Sequence, residues 1–287
     1  MLAASCSKSK EEFDATGSFE ATETIVSAEA QGKLMSLKLE EGDSLPAGKM
    51  VGYIDSTQLY LTRLQLVQNR KAILSSRPDI RPQIEALEKE LDNAITDRNR
   101  IENLVKGEVA SQKQLDDANA RVNILKSRID AQRSTLTISS SAIDEQGRTV
   151  ELQLKQIEDQ LRKCRLVNPI SGIVLSKYMN EFEMAAPGKP IYRIADMSSI
   201  LLRAYVSGDQ LSSIKLGAPV DVIVDDINGG SKKYEGKVEW VSEKAEFTPK
   251  TIQTKDERAN LVYAIKIRVK NDGTLKIGMY GEVKLRS

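Results

Sequence analysis

The chain has 287 residues, 29% of them charged and 40% hydrophobic, a balance that can pack domains and excludes a disordered tail. Its 42 Lys and Arg stand against 41 Asp and Glu, a formal net charge of +1, and without an aromatic-interleaved basic patch no nucleic-acid partner is expected. There is no His, which excludes every mechanism that needs imidazole, and the two Cys, Cys6 and Cys164, make neither a zinc site nor a disulfide framework, so no metal or cofactor is expected.

The first segment, 1–16, reads as an anchor and linker. Leu2-Ala3-Ala4-Ser5-Cys6-Ser7 resembles the end of a bacterial lipoprotein signal, in which the Cys becomes lipid-modified, so Cys6 is the expected lipidation site. The usual Leu three places before the Cys is Ala3 here, with Leu2 one place further out. No apolar run in the chain approaches the roughly 20 residues that span a bilayer.

From 17 to 55 the chain reads as short strands, and the pattern returns at 166–198 as an internal repeat offset by 140 residues. Gly32-Lys33-Leu34, Leu39-Glu40-Glu41-Gly42-Asp43 and Gly48 through Ile54 correspond to Gly172-Ile173-Val174, Met179-Asn180-Glu181-Phe182-Glu183 and Gly188 through Ile194. Apolar runs punctuated by Gly and Pro read as hairpins. One copy is too small to bury a core; two together are not.

Between the copies, 56–165 contains only two Gly and carries apolar residues at three-four spacing. The ascending arm offers Ile84, Leu87, Leu91, Ala94, Ile101 and Val105, with Arg98 in the seam. The descending arm offers Leu115, Ala118, Val122, Leu125, Ile129 and Leu136, with Gln132 in the seam. This is a coiled-coil hairpin, with its tip near 106–110, where Gly107 ends one helix and Ser111 caps the next. Arg77-Pro78-Asp79-Ile80-Arg81-Pro82 is expected to break the ascending arm, and Ser139 through Gly147 the descending arm. Nearer the base, the expected seam is Tyr60, Leu64, Val67 and Leu74 against Val150, Leu154, Ile157, Leu161 and Cys164. An arm of about 50 residues would reach roughly 75 Å if straight.

The last region, 199–287, alternates like an antiparallel barrel. Val220, Val222 and Val224 lead to an Asn228-Gly229-Gly230 turn, and Leu261 through Val269 to an Asn271-Asp272-Gly273 turn. A short helix is expected from Gly208 to Leu216. Asp225-Asp226 and Asp116-Asp117 read as solvated neighbours whose side chains diverge, not as catalytic pairs.

This order of parts resembles the HlyD-type membrane fusion proteins: an elongated α+β chain with a split lipoyl-like β-domain, an inserted α-helical coiled-coil hairpin and a following small β-barrel. The resemblance runs from about Thr16 to Ser287 and is carried by Ala30-Gln31-Gly32, Glu41-Gly42-Asp43, Asn168 through Val174, Ile191 through Asp196 and Leu275 through Met279. It implies a periplasmic adaptor between an inner-membrane exporter and a TolC-type outer-membrane channel, acting in efflux or secretion and not as an enzyme. It further implies a homo-oligomer, commonly a hexameric ring, held at the inner membrane through a lipid on Cys6. Phe247 through Lys255 looks like a loop of adaptors that serve ABC-type exporters, which favours that partner over a proton-driven one.

At the tip, Arg100, Leu104 and Ser111, followed by Leu115-Asp116, match the Arg, Leu and Ser pattern of family members that dock onto TolC-type channels. In that role Arg100 donates to carbonyls or carboxylates at a channel mouth, Leu104 offers an apolar knob, and Ser111 bonds across the contact or caps its helix. Two rivals remain open: a coiled-coil scaffold without an efflux role, and a biotin or lipoyl carrier. The carrier is disfavoured because Lys49-Met50 lacks the Met on its other side and the helical insertion replaces the modified hairpin.

Overall fold

The computed structural model describes residues 13–225, 230–247 and 261–286. The chain divides into two compact units, Ser56–Lys163 and a second made of the residues up to Asp55 and from Cys164 onward. Cys6, Asn228-Gly229 and the loop from Thr248 to Lys255 lie outside the described residues.

The helical unit holds α1 (Thr57–Ser75), α2 (Ile80–Lys106) and α3 (Gln112–Lys163). The break between α1 and α2 falls where Pro78 disfavours helical geometry at Arg77, and Asp79 is extended (φ −78°, ψ 105°). An ion pair from Arg77 to Asp144 of α3 closes the gap. Ile84 packs with Ile129 and Leu136, and Ala94 with Val122 and Leu125, as the heptads require. The two polar seam residues find partners, Arg98 with Glu102 and Gln132 with Gln83 of the facing helix.

Two expectations fail here. The descending arm is not broken: α3 is one helix of 52 residues that runs through Ser139–Ser141 and Gly147. Gly147 is buried, and a Cβ there would lie 2.9 Å from Leu74 Cδ2, so this glycine marks close approach to α1, not an end. The seam of α1 also differs. Tyr60, Leu64 and Val67 are exposed, while Leu59, Leu66 and Ile73 are half-buried at seven-residue spacing. Arg63–Glu158 and Arg70–Glu151 bridge α1 to α3, also seven apart on each helix, and fix this ridge.

The β-rich unit contains two four-stranded sheets and a barrel. Its strands before the helices are β1 (Ala15–Glu20), β2 (Glu23–Ser27), β3 (Gly32–Leu37), β4 (Ser44–Leu45) and β5 (Met50–Ile54). After them come β6 (Arg165–Val167), β7 (Gly172–Lys177), β8 (Met184–Ala185) and β9 (Pro190–Ala195). The sheets are ordered β2-β9-β7-β4 and β6-β5-β3-β8, so each draws strands from both sides of the helical segment. The repeat becomes a reciprocal exchange. Ser44 and Leu45 pair with Ile173 and Gly172, and their counterparts Met184 and Ala185 pair with Lys33 and Gly32. Leu34, Leu37, Val51, Ile54, Val174, Ile191 and Ile194 are buried as the core of this pair of sheets. Asn168, itself buried, donates to the carbonyls of Pro46 and Ile170 and accepts from Tyr192 Oη at 2.9 Å.

The barrel adds β10 (Ser199–Ser207), β11 (Pro219–Asp225), β12 (Ser231–Val241), β13 (Glu246–Phe247), β14 (Leu261–Lys270) and β15 (Tyr280–Leu285). Six strands close as β10-β1-β15-β11-β12-β14 with β14 returning to β10, and β13 pairs outside on β14. The strand β1 therefore belongs to the barrel, where Phe19 joins Leu202, Val222, Ile267 and Val283 in its core, and not to the first half-repeat as expected. Gly17 permits this, since a Cβ would fall 2.0 Å from the Arg203 carbonyl oxygen. The expected helix from Gly208 is one turn, α4 (Gly208–Leu211), opened by a capping box between Ser207 and Gln210. It stops early because the Ser212 and Ser213 hydroxyls bond back to the carbonyls of Asp209 and Gln210.

Candidate functional site at the hairpin tip

The tip is built by two helix ends. At the end of α2, Gly107 N–H returns to the Asn103 carbonyl, and Val109 and Ala110 N–H groups both reach the Leu104 carbonyl, at 2.8 and 3.3 Å. Glu108 takes the left-handed conformation (φ 60°) that turns the chain. α3 then opens on Ser111, whose hydroxyl accepts from Gln114 N–H at 3.4 Å while Gln114 Oε1 accepts from Ser111 N–H at 2.8 Å.

The three residues expected to dock sit differently. Arg100 is exposed and loosely paired with Asp97 at 3.7 Å, leaving donors for a partner. Leu104, one turn further on, is 41% exposed, so it is an available knob and not a seam residue. Ser111 is exposed, with its hydroxyl engaged in the cap. Sequence reasoning missed Val109, 77% exposed in the turn itself. It also missed a groove of about 410 Å³ lined by the polar Asp97, Arg100, Gln114, Asp117 and Arg121 and by Ala94, Ile101 and Ala118. The signal lay in two charged pairs, Asp97 with Arg100 and Asp117 with Arg121, at helical spacing on facing arms. Behind the tip, Glu102 takes Lys106 and Arg98 as partners. The Lys106 ammonium, hydrogen-bonded to it, holds its carboxyl below the usual value.

No helix among the described residues is long and apolar enough to cross a membrane. No family model matches the chain. Among curated proteins it is 24% identical over 269 residues to a UPF0194 membrane protein of Acidithiobacillus ferridurans, covering 86% of this chain and 79% of that one. A UPF0194 membrane protein of Yersinia enterocolitica is 25% identical over 269 residues, covering 86% and 81%. Among solved structures, MacA from Actinobacillus actinomycetemcomitans is similar at 25% identity with a TM-score of 0.56, covering 95% of this chain and 78% of that one. A membrane fusion protein of Streptococcus pneumoniae R6 shares the fold at 16% identity and a TM-score of 0.52, over 95% and 97% of the two chains. So does a MacA chimera carrying the Pseudomonas aeruginosa MexA α-hairpin, at 22% identity and a TM-score of 0.53, over 95% and 81%. The chain has the fold of the membrane fusion proteins, and the resemblance covers 95% of its length.

Proposed function

We propose that the chain is a periplasmic adaptor that links an inner-membrane exporter to a TolC-type outer-membrane channel. It binds and bridges; it is not an enzyme. The observation that carries this reading is the tip: Arg100 and Leu104 lie on one helix face, four residues apart, both exposed where the two long arms turn. An exposed guanidinium beside an apolar knob suits a contact with helix-end carbonyls or carboxylates, and α3 alone, at 1.5 Å per residue, spans about 78 Å.

In this reading the β-rich unit, with its exchanged half-repeats, is the lipoyl-like body from which the hairpin emerges, and the barrel belongs to the exporter side. Copies assemble into a ring, a hexamer in the family pattern, and Cys6 carries the lipid that holds the chain at the inner membrane. The likeness of Phe247 through Lys255 to a loop of ABC-exporter adaptors favours an ABC-type partner. Arg100→Glu tests the reading directly: export of the cognate substrate is lost in cells while the protein accumulates to wild-type level with an unchanged thermal transition. Normal export with that variant removes the tip assignment.

A further inference from the structure

The two ends of the barrel differ. At one end, β1 runs on into β2 and β9 into β10, which joins the barrel to the four-stranded sheets. At the other end, Asp14 N–H donates to the Val283 carbonyl and the Asp14 carboxylate accepts from Leu285 N–H. The pairings Val220–Leu285 and Ser207–Val262 bring the edges of β11, β15, β10 and β14 to the same rim, and β12 ends there with Val241 beside Ile265. Gly217 N–H reaches the Val238 carbonyl at 2.8 Å and seats the loop before β11 against β12.

Three large apolar side chains stand out on this rim: Leu216, Leu261 and Trp240, exposed by 71%, 54% and 41%. The Lys266 ammonium lies 5.5 Å from the Trp240 ring centroid, and the exposed Lys215, Lys237, Lys244 and Lys284 surround the group. Nearby carboxylates are mostly taken: Glu239 by Arg268, Glu246 by Arg203, and Asp221 by Lys233 and Arg286. Only Asp14, Asp209 and Glu243 offset the five lysines, which leaves the rim net positive. The chain also enters here. Phe13, leading into β1, stands seven positions after Cys6, and seven residues span at most about 25 Å whatever their path.

We propose that this rim is itself a membrane contact. Leu216, Trp240 and Leu261 enter the interface of an anionic bilayer, and the surrounding lysines meet its phosphates. The proposal rests on the reading of Cys6 as the lipid anchor, which would hold the rim within that short tether of the headgroups. It adds a direct contact between protein and lipid that needs no acyl chain.

Trp240 is the only Trp in the chain, so its emission reports the contact. The test mixes the full chain carrying Cys6→Ser with vesicles of equal parts phosphatidylglycerol and phosphatidylcholine. Emission shifts to the blue on binding, and added salt or vesicles of phosphatidylcholine alone weaken the shift. Leu216→Asp lowers cosedimentation with the vesicles by about tenfold and leaves the unfolding temperature unchanged, since the side chain is exposed. Lys215→Glu combined with Lys237→Glu lowers it too. Ile277→Asp, at the end where Gly278 bonds to Phe19, leaves binding intact. Binding indifferent to Leu216→Asp, or lost equally with Ile277→Asp, overturns the proposal. Absence of the blue shift overturns it as well and leaves the rim to the exporter. Mass spectrometry of Cys6 in the wild-type protein separates the two readings. An unmodified Cys6 with the shift retained counts against the anchor alone; a lipidated Cys6 with no shift in the Cys6→Ser chain counts against the rim alone.

Discussion

Glu181 Oε1 accepts a hydrogen bond from the backbone N–H of Leu37 at 2.8 Å, across 144 residues of chain. The relation is mirrored, since Glu41 Oε1 accepts from Lys177 N–H at 2.9 Å, and each of these residues is the other's counterpart at an offset of 140. Each half-repeat thus supplies a carboxylate that closes the strand end of the other. A hydrogen bond to a charged group contributes about 2 kcal/mol. Glu181→Ala should therefore speed amide exchange at Leu37 by roughly 30-fold while Lys177 keeps its protection, and Glu41→Ala should do the reverse. Equal loss at both sites from either variant would deny the reciprocity.

Gly147 lets α3 approach α1. Gly147→Ala gains about 1 kcal/mol of helix propensity and sets a Cβ 2.9 Å from Leu74 Cδ2, the end of a half-buried side chain that must turn aside, so the contact offsets part of that gain in urea unfolding. In a Leu74→Ala background the same change shows the full gain of about 1 kcal/mol. An equal gain in both backgrounds would mean that glycine there is not required by packing.

Tyr192 is fully buried, and burial pushes its phenol up to about 12 from an ordinary value of 10. The folded chain therefore holds this proton where the unfolded chain releases it. The stability this contributes is present in full below pH 10 and falls as the pH climbs from 10 toward 12, by an amount of order 2 kcal/mol. Tyr192→Phe loses about 1 kcal/mol at neutral pH with its bond to Asn168 and then declines less steeply in that alkaline window. Parallel alkaline unfolding curves for the two proteins would contradict this.

Ser111 caps α3, and one substitution separates that role from the proposed contact with the channel. Ser111→Ala removes the cap of α3 and costs about 1 kcal/mol at the tip, whereas Ser111→Asp keeps an acceptor for Gln114 N–H. If Ser111 also contacts the channel, Ser111→Asp stays fully helical by circular dichroism and still loses export. Restored export in Ser111→Asp would reduce this residue to a cap.

Much of this was legible because periodicity and spacing report burial. Ile84, Ala94, Val122, Leu125 and Ile129 fell on the seam at the heptad positions, and Gly32, Gly48, Gly172 and Gly188 marked the repeat. What failed did so for tertiary reasons. Tyr60 and Leu59 are adjacent and both apolar, so composition alone does not choose the ridge; the ion pairs of Arg63 and Arg70 with α3 do. Gly147 carries the same symbol whether it ends a helix or admits a neighbour, and only Leu74 across the gap decides. The strand β1 precedes the first half-repeat without a Gly or Pro between Glu20 and Glu23, so nothing local announced that it crosses to the barrel. The groove at the tip needed residues of both arms, whose register no single segment encodes.

In-cell photocrosslinking from a probe at position 109, exposed in the turn, with the captured protein identified by mass spectrometry, tests the proposed docking of the tip onto an outer-membrane channel. The expected result is capture of an outer-membrane channel protein, lost when Arg100→Glu is added. No adduct in cells with export running, or an adduct indifferent to Arg100, would contradict it and leave a periplasmic scaffold as the better description.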